Sequence, residues 1–173
     1  QPARVRADIL IDTTTLSPND LCAEVTRYFA PDKDNAMAIS VQSFSYKRGT
    51  PRGIDMMFDC RFLRNPYWDK DLRSENGLNA AVQAYVAEDK NFKPFRRQVL
   101  DLADLVIPAH MAEGRSHLTI GFGCTGGKHR SVTMVEMLRK DLQLRGWHVT
   151  IRHREVVKNT THESTLIAKV LDS

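Results

Sequence analysis

Residues 117–131 read "HLTIGFGCTGGKHRS", and the reading of this stretch decides the fold. "HLTIGFG" is an apolar run of strand length and strand composition. Glycines at 123, 126 and 127 follow around Cys124, and then Lys128, His129, Arg130 and Ser131 arrive together. "RSVTMVEMLRKDLQLRG" (130–146) repeats its apolar residues at helical spacing, with Gly146 placed as a C-cap glycine. "WHVTIRHR" (147–154) is a second strand. Strand, glycine turn, helix and strand make a β-loop-α-β unit, whose two strands run parallel.

Outward from this unit the same alternation continues. "MAISVQSF" (37–44) alternates like a strand, "SYKRGTPRG" (45–53) is a basic loop, and "IDMMFDCRF" (54–62) is a further strand. A proline turn, "LRNPYWD", leads to helices over 78–89 and 92–114, the second with Pro94 near its start and a break or kink expected at Pro108. Upstream, "DILIDTT" (8–14) is strand-like, and Ser17 and Pro18 open a helix that places Leu21, Val25, Tyr28 and Phe29 on one face. The expected fold class is α/β, a mostly parallel sheet with helices on both faces. Residues 156–173 pattern weakly and are expected to form a partly disordered tail.

Bulk properties narrow the function classes. A chain of 173 residues can bury about two-thirds of its unfolded surface in one domain. Hydrophobic content of 42% with 27% charged residues excludes global disorder. No apolar run nears the roughly 18 residues of a membrane span, so no membrane association is expected. Cys22, Cys60 and Cys124 lack metal-ligand spacing, and their odd number argues against a disulfide framework. The histidines form no HExxH pair, so neither a metal site nor a cofactor is expected. A net charge of +4 and a pI near 9.1 permit polyanionic partners.

The glycine loop has the physical features of an anion site. A nucleotide P-loop would need a glycine at Phe122 and a hydroxyl at His129, and both fail. The spacing Cys-x-x-Gly-x-x-Arg-Ser is met by Cys124, Gly127, Arg130 and Ser131, as in cysteine-dependent phosphatases. Glycines let backbone N–H groups turn inward, the helix start adds its positive end, and Arg130 offers a forked donor. Three readings stay open: a catalytic loop using Cys124 and Arg130 with Asp59 or Asp69 as acid, a non-catalytic anion site, or a turn that merely packs helix on sheet. Gly123 stands where phosphatases carry a histidine, which favours binding without catalysis.

Elsewhere, Asp59 and Arg61 end a strand, where open α/β sheets hold ligands, although a plain ion pair would look the same. Lys47, Arg48 and Arg52 with Arg152 and Arg154 are candidate polyanion contacts or solvated charge. Tyr67 and Trp68 could stack on a ligand or cover the core. His148 and His153 are expected to flank the last strand without a ligand role, with Cys22 and Cys60 in the core.

Taken together, "FDCRFLRNPYWD" (58–69), "GCTGGKHRSV" (123–132) and "RHR" (152–154), supported by "DILIDTTTLSPNDL" (8–21), resemble the C-terminal domain of the RapZ/YvcJ family of bacterial RNase adapter proteins. The resemblance implies residues 1–16 as a linker or first strand leaving an N-terminal P-loop domain, and 17–155 as the C-terminal domain. It implies a fold like a phosphofructokinase subdomain, a cytoplasmic location and a non-enzymatic role, with ATP or GTP hydrolysis residing in the N-terminal domain. A phosphosugar such as glucosamine-6-phosphate would sit between Asp59 and Arg61 on one side and Cys124, Thr125, Gly126, Gly127, His129 and Arg130 on the other. Small regulatory RNA, an RNase or another protein, and further copies of the chain are the implied partners, with Lys47 at a position linked to RNA. Two features depart from the family pattern: Tyr67 replaces a histidine of enterobacterial members, and their short Lys/Arg-rich terminus is absent.

Overall fold

The computed structural model describes residues 37–156 continuously, with Ile11, Thr13, Thr14, Leu16, Leu21 and Val25 as single positions. Apart from those positions, the strand expected over 8–14, the helix from Ser17, Cys22 and the tail beyond Val156 lie outside the described residues. Four strands are present among the described residues: β1 (Ala38–Ser45), β2 (Met56–Asp59), β3 (His117–Cys124) and β4 (Val149–His153). Three α-helices accompany them: α1 (Ala80–Ala87), α2 (Phe92–Ala112) and α3 (Arg130–Leu144). The sheet order is β2-β3-β1-β4, and every pairing is parallel. The expected parallel α/β class is the observed one.

Alternation along β1 and β3 sorts the two faces. Ile39 and Val41 of β1, with Leu118, Ile120, Phe122 and Cys124 of β3, join the core that Met134, Val135, Leu138 and Leu142 of α3 complete. From α2 come Val99, Ala103 and Ile107. The opposite face carries Gly121 and Gly123, and there the short crossing from β1 to β2 lies directly on the sheet. A Cβ at Gly121 would stand 2.5 Å from Ile54 Cδ1, and one at Gly123 2.5 Å from Tyr46 Cε2. At Gly123, against the rings of Tyr46 and Phe44, only hydrogen fits, whereas at Gly121 the contact is with the flexible end of Ile54.

Three boundaries differ from the sequence expectation. β2 spans four residues rather than nine, because the Asp59 carboxylate takes the Arg61 N–H at 2.8 Å and turns the chain. α1 begins at Ala80, where Asn79 Oδ1 accepts the Ala81 N–H at 2.8 Å. No break occurs at Pro108, since α2 runs through it to Ala112. Proline forfeits one hydrogen bond there, and core contacts of Val99, Ala103 and Ile107 hold the helix. As expected, α3 stops at Gly146 (φ 84°), whose N–H bonds the Gln143 carbonyl while Trp147 N–H reaches Leu142.

Candidate anion-binding site

Parallel strands bring all their C-terminal ends to one edge of the sheet. Asp59 of β2, Cys124 of β3, Ser45 of β1 and His153 of β4 therefore lie side by side. After β1 the chain passes to the glycine face, whereas after β3 it enters α3 on the core face. Such a divergence between neighbouring strands opens the crevice in which α/β sheets hold ligands.

The 124–130 loop sits at that point. Cys124 is only 2% exposed, and its Sγ lies 3.1 Å from Ser131 Oγ. Thr125 and Gly126 are exposed, and a Cβ on Gly126 would meet nothing within 4 Å. Ser45 Oγ donates to the Thr125 carbonyl at 2.8 Å, which ties the loop to the end of β1. Gly127 adopts φ 68°, a conformation that glycine takes without strain.

Arg130, the first residue of α3, is 5% exposed. Its Nη1 donates to the carbonyls of Arg61 (2.6 Å) and Leu63 (3.2 Å), and its Nη2 to Thr125 Oγ1 (3.3 Å). Its Nε is buried without a hydrogen-bond partner, and among the described residues no carboxylate pairs with the guanidinium. The Nε–Nη2 edge, the one suited to forked recognition of an oxyanion, is thus left nearly bare.

Of Asp59 and Arg61, it is the Arg61 backbone carbonyl that touches Arg130, at 2.6 Å from its Nη1. Their side chains pair with each other, Arg61 Nη2 lying 2.7 Å from Asp59 Oδ2, and Arg61 stacks 4.2 Å over the Tyr46 ring. Hydrogen bonds from Arg61 hold the Asp59 carboxyl below the usual carboxylate range against the opposing effect of burial. His129 caps nothing by its side chain, and its Nε2 is buried without a partner. Burial lowers its pKa, which favours the neutral ring, while the Glu75 and Arg73 carbonyls oppose that shift.

The basic candidates form one cluster in part. Arg154 donates to the carbonyls of Gly49 (3.0 Å) and Arg48 (3.4 Å), bringing the end of β4 to the loop of Lys47, Arg48 and Arg52. Arg152 belongs to β4 itself and pairs in register with Gln42. Tyr67 and Trp68 are exposed, Trp68 by 75%, so they do not cover the core. His148 is exposed, whereas His153 lies within β4 and bonds Ser43 and Glu136. Cys60 is buried as expected.

Sequence reasoning missed Ser45, Gly77 and Glu155. Gly77 seals the start of α3, since its N–H bonds the Lys128 carbonyl at 2.8 Å and a Cβ there would lie 2.4 Å from the His129 oxygen. Glu155 lies against Gly127. Its only signal in sequence is its place just past the C-terminal end of a parallel strand.

Comparison with known proteins adds the lineage. The family model of the RapZ C-terminal domain matches residues 37–157. A nucleotide-binding protein of Cereibacter sphaeroides is 55% identical over 155 residues, covering 90% of this chain and 51% of the relative. Nucleotide-binding proteins of Jannaschia sp. (51% over 163 residues, 94% and 51%) and Ruegeria pomeroyi (54% over 156 residues, 90% and 55%) match similarly. The chain therefore spans about half the length of the curated relatives it matches. Among the described residues no helix is long and apolar enough to cross a membrane. With 37–157 matched by that model, this chain belongs to the RapZ C-terminal domain family.

Proposed function

We propose that this domain binds a phosphate-bearing metabolite, of the phosphosugar class, on the 124–130 loop as a regulatory ligand. One observation carries the reading: Arg130 is a buried cation with a bare Nε and no carboxylate partner among the described residues. An unpaired buried charge costs several kcal/mol, on the order of 3–5, unless an anion joins it. Glycine N–H groups and the start of α3 favour the same anion.

Binding rather than phosphatase chemistry fits the neighbouring groups. Cys124 is closed off from solvent and bonded to Ser131, and Asp59 is held ionised by Arg61, so it carries no proton to give a leaving group. Nucleotide binding, the property in the relatives' names, we assign to the portion of those proteins that this chain does not span, because the loop lacks the Walker spacing. Glucosamine-6-phosphate is the phosphosugar that the family resemblance implies, with Asp59 facing its hydroxyls or amine.

A thermal-shift screen of hexose phosphates tests the reading. A true ligand at about 100 times its dissociation constant adds about 2.7 kcal/mol of stability, a shift of several degrees. Unphosphorylated hexoses should give none. A screen in which phosphorylated and plain sugars behave alike would overturn the proposal.

A further inference from the structure

Glu155, just past the end of β4, reaches across the end of β1 to the back of the glycine loop. A Cβ placed on Gly127 would stand 2.4 Å from Glu155 Oε2, 2.8 Å from its Cδ and 2.9 Å from the Ser45 nitrogen. The carboxyl group thus fills the space that the glycine leaves, beside the last residue of β1. Its side chain is 2% exposed. The Ser45 N–H acts on the carboxylate, yet neither oxygen completes a hydrogen bond among the described residues, and Arg154 Nε stays 3.8 Å from Oε1. The Thr125 carbonyl accepts Ser45 Oγ at 2.8 Å and the Lys47 N–H at 3.4 Å. The loop is therefore held from β1 at Thr125 and from the end of β4 at Gly127.

The charge of Glu155 does not stabilise the fold. Burial pushes its carboxyl above the ordinary carboxylate range, with the Ser45 N–H, Arg154 and Arg48 opposing more weakly. An acid whose pKa is raised by folding lowers stability as the pH climbs from its unfolded value of about 4.3 through the folded one, and the loss persists above. What the side chain supplies is reach. It closes on Gly127 (φ 68°), a residue with no side chain of its own to fix its place.

Resting on the anion-site reading above, we infer that Glu155 is a positioning residue of the loop, acting by its reach and not by its charge. It backs Gly127 and holds the 125–127 arc in the binding shape without touching the ligand. Without that backing the arc falls into the vacated space. A loop in its binding shape only about a tenth of the time binds about tenfold more weakly.

Three variants separate reach from charge. Glu155→Gln keeps the reach and an acceptor for Ser45, Glu155→Asp keeps only the charge, and Glu155→Ala keeps neither. Each is compared with the parent at neutral pH by amide hydrogen exchange over 125–128 without ligand, by calorimetric titration with glucosamine-6-phosphate, and by the urea midpoint. The glutamine variant should match the parent in loop exchange and bind at least as tightly, with a urea midpoint no lower. The aspartate and alanine variants should exchange faster across the loop and bind about tenfold more weakly. A merely structural residue would lower the urea midpoint and leave the affinity of the folded variants unchanged. If the alanine variant fails to fold, the aspartate and glutamine pair decides the outcome. Parental exchange and affinity in a folded Glu155→Asp protein, or an equal loss of affinity in Glu155→Gln, overturns the inference while leaving the anion site standing. A parent that binds no glucosamine-6-phosphate removes the anion-site reading and this inference with it.

Discussion

His153 joins three elements through two hydrogen bonds. Its Nδ1 lies 2.9 Å from Ser43 Oγ on β1, and its Nε2 lies 3.0 Å from Glu136 Oε1 on α3. Arg139 holds the other carboxylate oxygen at 3.0 Å. The bond from His153, then those from Arg139, keep the Glu136 carboxyl below its ordinary range, with burial opposing them. A depressed folded pKa stabilises the protein above the unfolded carboxylate pKa of about 4.3, and the contribution is lost as the pH falls through the folded value. Glu136→Gln should therefore cost about 1–3 kcal/mol at neutral pH, a hydrogen bond to a charged group being worth that much. Urea unfolding of parent and variant checks it: the gap should close on acidification, and a gap that persists below about pH 3 would count against the account. Arg130 and the Cys124–Ser131 pair are legible residue by residue, because their spacing is a local property. Glu155 and the Ser43–His153 contact are not, because they depend on which strand ends meet across more than a hundred residues of chain.

At the scale of elements, period and punctuation carry most of the information. β3 and α3 stand out because an apolar run gives way to a helical period across a glycine turn, and both appear within a residue or two of the expected bounds. The crossing from β1 to β2 reads in sequence only as a basic loop. Its course follows from Gly121 and Gly123, whose missing side chains let Ile54 and Tyr46 lie on the sheet. Glycines within a strand pattern signal such an approach, but nothing local names the segment that fills it. The break expected at Pro108 is absent for a related reason: the rule for proline weighs one lost bond, whereas the packing of a 21-residue helix decides where it ends. β2 is shorter than its pattern implies because "IDMMFDCRF" alternates throughout, and only the side chain of Asp59 turning onto its own backbone ends the strand.

Over the whole molecule, charge and site fall on the same edge of the sheet. Arg154 ties β4 to the loop of Lys47 and Arg48 beside the candidate anion crevice, while the net excess is only +4. We propose that RNA contact, if made through this edge, is electrostatic and strengthened by more than one copy of the domain. Each phosphate neutralised adds about 0.7–0.9 to the slope of log affinity against log salt. A Lys47/Arg48/Arg52→Ala triple variant should lower that slope by about two units in RNA titrations, and an unchanged slope would rule the loop out as the contact. The central claim, that Arg130 anchors a phosphate at 124–130, has a more direct test. Calorimetric titration of glucosamine-6-phosphate into the parent, Arg130→Lys and Arg130→Ala, each shown to be folded, isolates the forked donor. Charge-assisted hydrogen bonds of about 1.5–3 kcal/mol predict a loss of roughly tenfold or more in both variants. Affinity equal to the parent's in a folded Arg130→Ala protein would contradict it.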